Sequence, residues 1–239
     1  MRGEAAVLAR LVRGMPRGAS HAAALAAFYG PQAGQYDRFR ERLLQGRAEL
    51  MAALPLPRAA HVVELGGGTG RNAEFLGERL AGLASYTVVD LCRPLLERAR
   101  ERAQRIACLR VVEADATVWQ PDAPVDAVVF SYSLTMIPDW PAAIANAVAM
   151  LRPGGTLAAV DFHVSSAQAP PDHVQHGALT RWFWPRWFAH DGVRLDARQL
   201  ETLCRLVPRH ALVQDRAPVP WLPLARVPYY RFAGTVQAP

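Results

Sequence analysis

The sequence predicts an α/β protein with a mostly parallel sheet, and three observations carry that expectation. Apolar runs bounded by acids or turn residues recur at 61–65, 85–90, 109–113, 125–131 and 155–162, with helical patterns between them at about 71–81, 93–106 and 139–151. Strand and helix in alternation require parallel strands joined by crossover helices. The first run ends in an acid and a glycine cluster, Glu64-Leu65-Gly66-Gly67-Gly68-Thr69-Gly70, just where a helix-like segment begins. The second run closes on Asp90, twenty residues beyond Gly70.

Residues 19–29 and 35–53 read as helices, the second from the spacing of Phe39, Leu43, Leu44, Leu50 and Met51, with Tyr29-Gly30-Pro31 as the break between them. Pro55 and Pro57 make a short linker to the first strand, so residues 1–58 form a helical lid or cap and residues 59–239 the main domain. Pro94 sits in the first turn of its helix, where a missing N–H costs nothing. Leu151-Arg152-Pro153-Gly154-Gly155 reads as a helix stop and turn before the fifth strand. The rhythm changes after residue 162. Residues 163–195 are irregular and rich in aromatics and histidine, and a helix at about 196–207, a strand near 211–216, a proline-rich loop and a strand near 228–234 follow.

At 239 residues, 51% hydrophobic, the chain suits one domain with a large core. Cys92, Cys108 and Cys204 form no metal or redox spacing and point to buried thiols in a reducing compartment. Arginines interrupt the N-terminal run that a signal peptide would need, and no stretch approaches the roughly 20 apolar residues of a membrane span. A cytoplasmic setting follows as the expectation. All 27 basic residues are arginine. Residues 1–58 and 181–239 are each net +5, whereas 59–180 are net −4. Basic flanks fit an anionic partner, a lipid surface or a nucleic acid, or simply a solvated surface.

The glycine cluster has a physical purpose. A strand turning sharply into a helix needs positive φ and a close backbone approach to a ligand, and the helix that follows points free N–H groups at it. A dinucleotide fingerprint is G-x-G-x-x-G; here glycines 66, 68 and 70 follow Glu64 in the form E-x-G-x-G-x-G. That form resembles motif I of class I S-adenosylmethionine (SAM) methyltransferases, the alternative being a structural turn in some other α/β protein. The resemblance implies a Rossmann-like sheet whose last strand is antiparallel, with Asp90 on the cofactor ribose and Asp115 on the adenine amine. In such a sheet ligands bind beyond the carboxyl ends of the strands. The aromatic stretches 181–188 and 217–230 are therefore expected on the substrate face.

Candidates for chemistry lie at the strand ends. Tyr132 faces the transferred methyl or is a packed aromatic. Asp161 balances an ammonium charge or caps its loop. His163 is a general base near neutral pH or a locally bonded loop histidine. Tyr29 and Tyr36 lie in the lid helices, within reach of cofactor or substrate. His173 and His176 have no carboxylate or cysteine at a familiar ligand spacing, so no metal is expected. Arg181-Trp182-Phe183-Trp184-Pro185-Arg186-Trp187-Phe188 reads as a membrane-interface anchor, a cation–π wall for a methylated ammonium, or a helix packed on the sheet.

Over most of its length the chain is similar to betaine-lipid N-methyltransferases, including the methyltransferase half of fused betaine-lipid synthases. The likeness rests on Phe28-Tyr29-Gly30-Pro31-Gln32-Ala33 with Tyr36-Asp37 and Leu44-Gln45-Gly46-Arg47, on motif I, on Val89-Asp90-Leu91-Cys92, on Phe130-Ser131-Tyr132-Ser133-Leu134-Thr135-Met136-Ile137-Pro138, on Val160-Asp161-Phe162 and on Val227-Pro228-Tyr229-Tyr230. It implies SAM as cofactor and threefold methylation of the diacylglyceryl-homoserine amine at an anionic membrane surface. It places the enzyme peripherally on the inner face of the membrane, with the enzyme that makes the homoserine lipid as a candidate partner and no metal or nucleic acid expected. Cofactor contacts follow at Glu64, Gly66, Gly68, Asp90 and Asp115, with Tyr36 and Arg47 on the SAM carboxylate. Gly67, Gly70, Asn72, Leu91, Ala116 and Ser131 complete the candidate cofactor set. Arg181 or Arg226 would hold a substrate carboxylate. Phosphatidylethanolamine, a quinone precursor, RNA, or a non-catalytic SAM-binding role remain the alternatives.

Overall fold

A computed structural model describes residues 20–30, 36–220, 222 and 224–237. Expectations that fall on residues 1–19, on Pro31-Gln32-Ala33 or on Trp221 lie outside the described residues. The elements in order are α1 (His21–Tyr29), α2 (Tyr36–Leu43), α3 (Arg47–Ala53), β1 (His61–Leu65), a 3₁₀ segment (Arg71–Gly82), β2 (Ser85–Asp90), α4 (Arg93–Ala103), β3 (Leu109–Glu113), β4 (Val125–Ser131), α5 (Trp140–Met150), β5 (Leu151–Phe162), α6 (Ala178–Ala189), α7 (Arg198–Leu206), β6 (His210–Pro218) and β7 (Arg226–Thr235).

Seven strands form one sheet in the order β3-β2-β1-β4-β5-β7-β6. The first five are parallel; β7 lies antiparallel between β5 and β6, with Phe162 opposite Tyr229 and Pro218 opposite Arg226. β1, β2 and β4 are buried nearly throughout because helices cover both faces. One core layer joins α3, the 3₁₀ segment, α4 and α6 to the sheet; the other joins α5 and α7 to its opposite face. The order reverses at β1 and β4, so the carboxyl ends of β1, β2 and β4 open a crevice there.

Four expectations need correction. The helix expected over 35–53 is two helices, because Gly46 adopts φ 81° between them; a side chain there would strike Tyr229 and Arg231. β5 begins at Leu151 rather than after a turn: the Pro153-Gly154-Gly155 step is a bulge within the strand, and pairing moves from Val125–Leu151 to Ala127–Thr156 across it. The segment after Gly70 is 3₁₀ in character and kinked at Gly77, whose φ is 58°. The stretch 163–195 is not irregular throughout: it contains a twelve-residue helix, α6, which buries Trp184 and Phe188 despite Pro185 in its interior and so bears out the packed-helix reading of 181–188.

Candidate active site

A cavity of about 230 Å³ opens at the crevice. Its floor is the β1 loop. Gly66 (φ 71°) and Gly68 (φ 54°) hold left-handed conformations. A Cβ on Gly66 would collide with Ser133, and one on Gly68 would meet Leu95 and point towards Asp90. A backbone this bare against an open volume is a cradle for a ligand that must approach the main chain closely.

Asp90 forms one wall. Gly68 N–H donates to its Oδ2 at 2.8 Å and Cys92 N–H donates to its Oδ1 at 2.7 Å, which fixes the carboxylate at the cavity edge. Burial raises its pKa, and those backbone donors pull it back. Asp115 follows β3; its Oδ1 accepts from the Thr117 backbone N–H and hydroxyl. Across the mouth, α1 contributes His21, Leu25 and Tyr29. Ser20 caps this helix by accepting from Ala23 N–H at 3.2 Å. Burial lowers the His21 pKa; Asp115 and Asp90 oppose that shift and Arg194 adds to it, so His21 faces both carboxylates. The third wall is the loop after β4: Tyr132 and Ser133, then Met136 to Asp139. Tyr132 has φ 53°, a strained value for a tyrosine, and its hydroxyl donates to the Gln45 carbonyl at 2.7 Å. This bond ties the β4 loop to the turn before α3. Ser133 donates to Leu65 O at 2.7 Å and locks the same loop onto the end of β1.

A methyltransferase-domain family model matches residues 36–215. The chain belongs to that family. Its cofactor is S-adenosylmethionine, and the glycine cradle with Asp90 and Asp115 fits a nucleoside that must lie against bare backbone.

The relatives of this methyltransferase include trans-aconitate 2-methyltransferase from Paracidovorax citrulli, 36% identical over 125 residues, or 52% of this chain and 46% of that protein. The same-named protein of Rhizobium etli is 29% identical over 167 residues, covering 68% and 61%. The chain thus spans about half the length of the first curated relatives it matches. Among solved structures, Burkholderia thailandensis 1,6-didemethyltoxoflavin-N1-methyltransferase aligns with TM-score 0.61 at 22% identity, covering 93% of this chain and 92% of that one. Haemonchus contortus phosphoethanolamine N-methyltransferase 2 aligns at 0.70 and 13%, covering 93% and 61%. These likenesses establish the fold.

In this methyltransferase, eight of the candidates from sequence line the cavity: Tyr29, Gly66, Gly68, Asp90, Leu91, Asp115, Ala116 and Tyr132. Others lie behind it. Glu64 is fully buried under the loop; Asn72 Nδ2 donates to its Oε1 at 2.5 Å and the Tyr86 hydroxyl to its Oε2 at 2.8 Å. Burial pushes its pKa up to about 7. Asn72 passes the network on to Arg47, whose Nη1 donates to Asn72 Oδ1 at 3.3 Å while Nε donates to Leu44 O. Glu64, Asn72 and Arg47 therefore brace the loop from beneath. Gly67 packs towards Glu64, and Gly70 lets the following segment close on Val88 and Ala99. Tyr36 opens α2, but its side chain lies outside the described residues.

Neither β5 candidate lines the cavity. Asp161 is fully buried and accepts from the Thr135 N–H and hydroxyl and from Phe162 N–H, so it anchors the β4 loop from behind. Burial pushes its pKa up to about 7. His163 is buried among His176 and Tyr230, away from the cavity lining, and burial lowers its pKa to about 3, which favours the neutral ring. Ser131 also lies outside the lining, and Ser133 takes its place. Arg181 donates to His176 O rather than to the cavity. His173 lies 3.9 Å from the Cys204 sulfur, and no group of three His, Cys, Asp or Glu among the described residues could hold a metal. Sequence reasoning missed His21 and Leu25, whose approach depends on how α1 docks, and Met136, which was visible only as part of the β4 segment.

Proposed function

We propose that this methyltransferase methylates the amine of a zwitterionic lipid headgroup, diacylglyceryl-homoserine, three times to give the betaine lipid. The observation that carries the reading is the charge of the cavity. With Asp90 and Asp115 given to the nucleoside, Asp139 is the acid left in the lining for an acceptor, and no arginine lines it among the described residues, although the chain holds 27. A headgroup amine that arrives as an ammonium suits Asp139 and loses its proton to solvent before its lone pair attacks the methyl group; a polyanion finds no cationic side chain in this lining.

When bound, SAM supplies an electrophilic methyl group on a sulfonium sulfur. The chain's own residues position and exclude water. Asp90 and the Gly68 backbone hold the nucleoside end and Asp115 the base. Leu25, Tyr29, Tyr132 and Met136 give the rest of the cavity apolar and aromatic walls, which suit an amine gaining methyl groups. Burial keeps the Tyr132 hydroxyl protonated, its pKa well above the usual phenol value. Its proton goes to Gln45 O, so its oxygen lone pairs can accept from an amine N–H. The headgroup carboxylate is assigned to Arg194, not Arg181 or Arg226. Arg194 N–H donates to Thr135 O at 2.7 Å, beside Met136, and its exposed side chain is close enough to His21 to act on it.

The second reading follows from the relatives' name: methyl transfer to trans-aconitate, a tricarboxylate. Incubation with labelled SAM and, separately, diacylglyceryl-homoserine, phosphatidylethanolamine and trans-aconitate decides between them. Label in the homoserine lipid, progressing to the trimethylated product, is expected. Label in trans-aconitate alone overturns the lipid reading.

A further inference from the structure

The outer side of α6 and the β6–β7 loop carry apolar groups that the fold does not cover. Leu179 is 75% exposed, Trp182 55% and Trp187 47%, and Leu224 in the loop is fully exposed. Leu179, Trp182 and Arg186 lie three and four residues apart on one helix face, and the Arg186 guanidinium sits 5.1 Å over the Trp182 ring. The buried side of the same helix, Trp184 and Phe188, docks it on the sheet, while Leu179, Trp182 and Trp187 keep about half or more of their surface exposed.

Topology puts this surface beside the cavity. β6 runs parallel to β5 and ends at Pro218, while β7 starts opposite the end of β5, so the loop between them hangs from the edge where the cavity opens. An aromatic column joins the two places. Tyr132 in the cavity wall meets Phe162 at 4.7 Å, Phe162 stacks on Phe188 at 4.5 Å, and Phe188, Trp184, Phe183 and Trp187 continue outward at 5.8, 5.0 and 5.6 Å.

Charge selects the occupant. Residues 178–189 and 216–231 hold five arginines and no acid. Apolar aromatics interleaved with arginine suit a headgroup layer, where rings sit at the acyl boundary and guanidinium groups meet phosphates. No helix among the described residues is long and apolar enough to cross a membrane, so contact here is from one side.

We propose that the outer face of α6 and Leu224 of the β6–β7 loop together form a docking surface for an anionic lipid bilayer, which presents the cavity mouth to lipid headgroups. The proposal deepens the lipid reading above, but its test does not depend on it. The full chain, without SAM or acceptor, is sedimented with vesicles of phosphatidylcholine and phosphatidylglycerol in equal parts, or of phosphatidylcholine alone. The wild type is expected to favour the anionic vesicles by about tenfold, with the preference falling as salt rises. The double variant Trp182→Ala/Trp187→Ala is expected to lose about tenfold in partitioning. Leu224→Asp, at a fully exposed position that leaves folding intact, is expected to lose severalfold. Partitioning that is absent in the wild type, or unchanged in both variants, overturns the proposal. So does a loss of self-association in the variants with vesicle binding unaltered, which would make this face a contact between copies. Methylation of a detergent-dispersed acceptor separates the two claims. If the variants retain it but lose vesicle binding, docking and function both stand. If no amine lipid is ever methylated, the function fails while the vesicle result still decides the docking.

Discussion

Asp90 and Asp161 both lie at or near the carboxyl end of a parallel strand, and burial raises the pKa of both, yet only Asp90 borders the cavity. The difference is in who occupies their oxygens. Asp90 takes two backbone N–H groups, from Gly68 and Cys92, and keeps an edge towards open volume. Asp161 takes the Thr135 N–H and hydroxyl and Phe162 N–H inside the core, and its work is to fix the loop that carries Tyr132 to Met136. The β1–β3 half of the strand edge is thus a ligand-facing surface with a backbone floor. The β4–β5 half is a brace whose visible face is supplied by a loop. An acid near a strand end marks the edge; its hydrogen-bond partners decide which side of the edge it serves.

Glycine substitutions break the comparison most sharply. Gly66→Ala combines positive φ with a collision against Ser133 and should cost about 2–4 kcal/mol in stability, with SAM binding lost beyond a hundredfold. Gly154→Ala also sits at positive φ, but in the β5 bulge with nothing within 4 Å. It should cost about 1 kcal/mol and leave SAM affinity unchanged. Thermal melting and calorimetry on the two variants read both quantities.

Next in size is a pH effect. Glu64 and Asp161 have ordinary values of 4.5 and 3.8 and are each raised to about 7 in the fold. A raised carboxyl binds its proton more tightly when folded. Its stabilising contribution is therefore complete below about pH 4 and is lost as pH rises through 7. Denaturant midpoints should fall across that window, and Glu64→Gln should flatten the fall by on the order of 2–3 kcal/mol. An unaltered slope in the variant would show that the carboxyl under the glycine loop is not the group responsible.

Smaller effects probe the acceptor side. Tyr132→Phe leaves Gln45 O without its donor and should lower kcat about fivefold to tenfold, with SAM affinity preserved. Arg194→Ala should raise KM for an acceptor bearing a carboxylate by roughly fivefold and leave an acceptor lacking one unaffected. Equal effects on both acceptors would remove Arg194 from headgroup recognition.

What the sequence made legible follows the same division. β1 to β4 begin and end where the apolar runs do; β1, β2 and β4 are covered on both faces and so are largely apolar, while the edge strand β3 is only partly buried. The cofactor floor was readable because glycines 66 and 68 and Asp90 act through local backbone geometry. For Asp161 and His163 two readings stayed open, because residue type and strand position say nothing about which side of the sheet edge a side chain meets. α6 was legible only as one of three readings of 181–188, because Pro185 and five aromatics in eight residues left the choice open; its order comes from burying Trp184 and Phe188, the latter against Phe162. The break at Gly46 and the arrival of His21 over the mouth depend on contacts far apart in the chain.

The most direct test is calorimetric titration of SAM into the wild type, Asp90→Ala and Asp161→Asn. If the cavity above Gly68 holds the nucleoside, Asp90→Ala should lose about 2–3 kcal/mol of binding, thirtyfold or more, at little cost to folding. Asp161→Asn should lower the melting temperature while leaving SAM affinity within about threefold. Full-strength binding to Asp90→Ala would contradict the account.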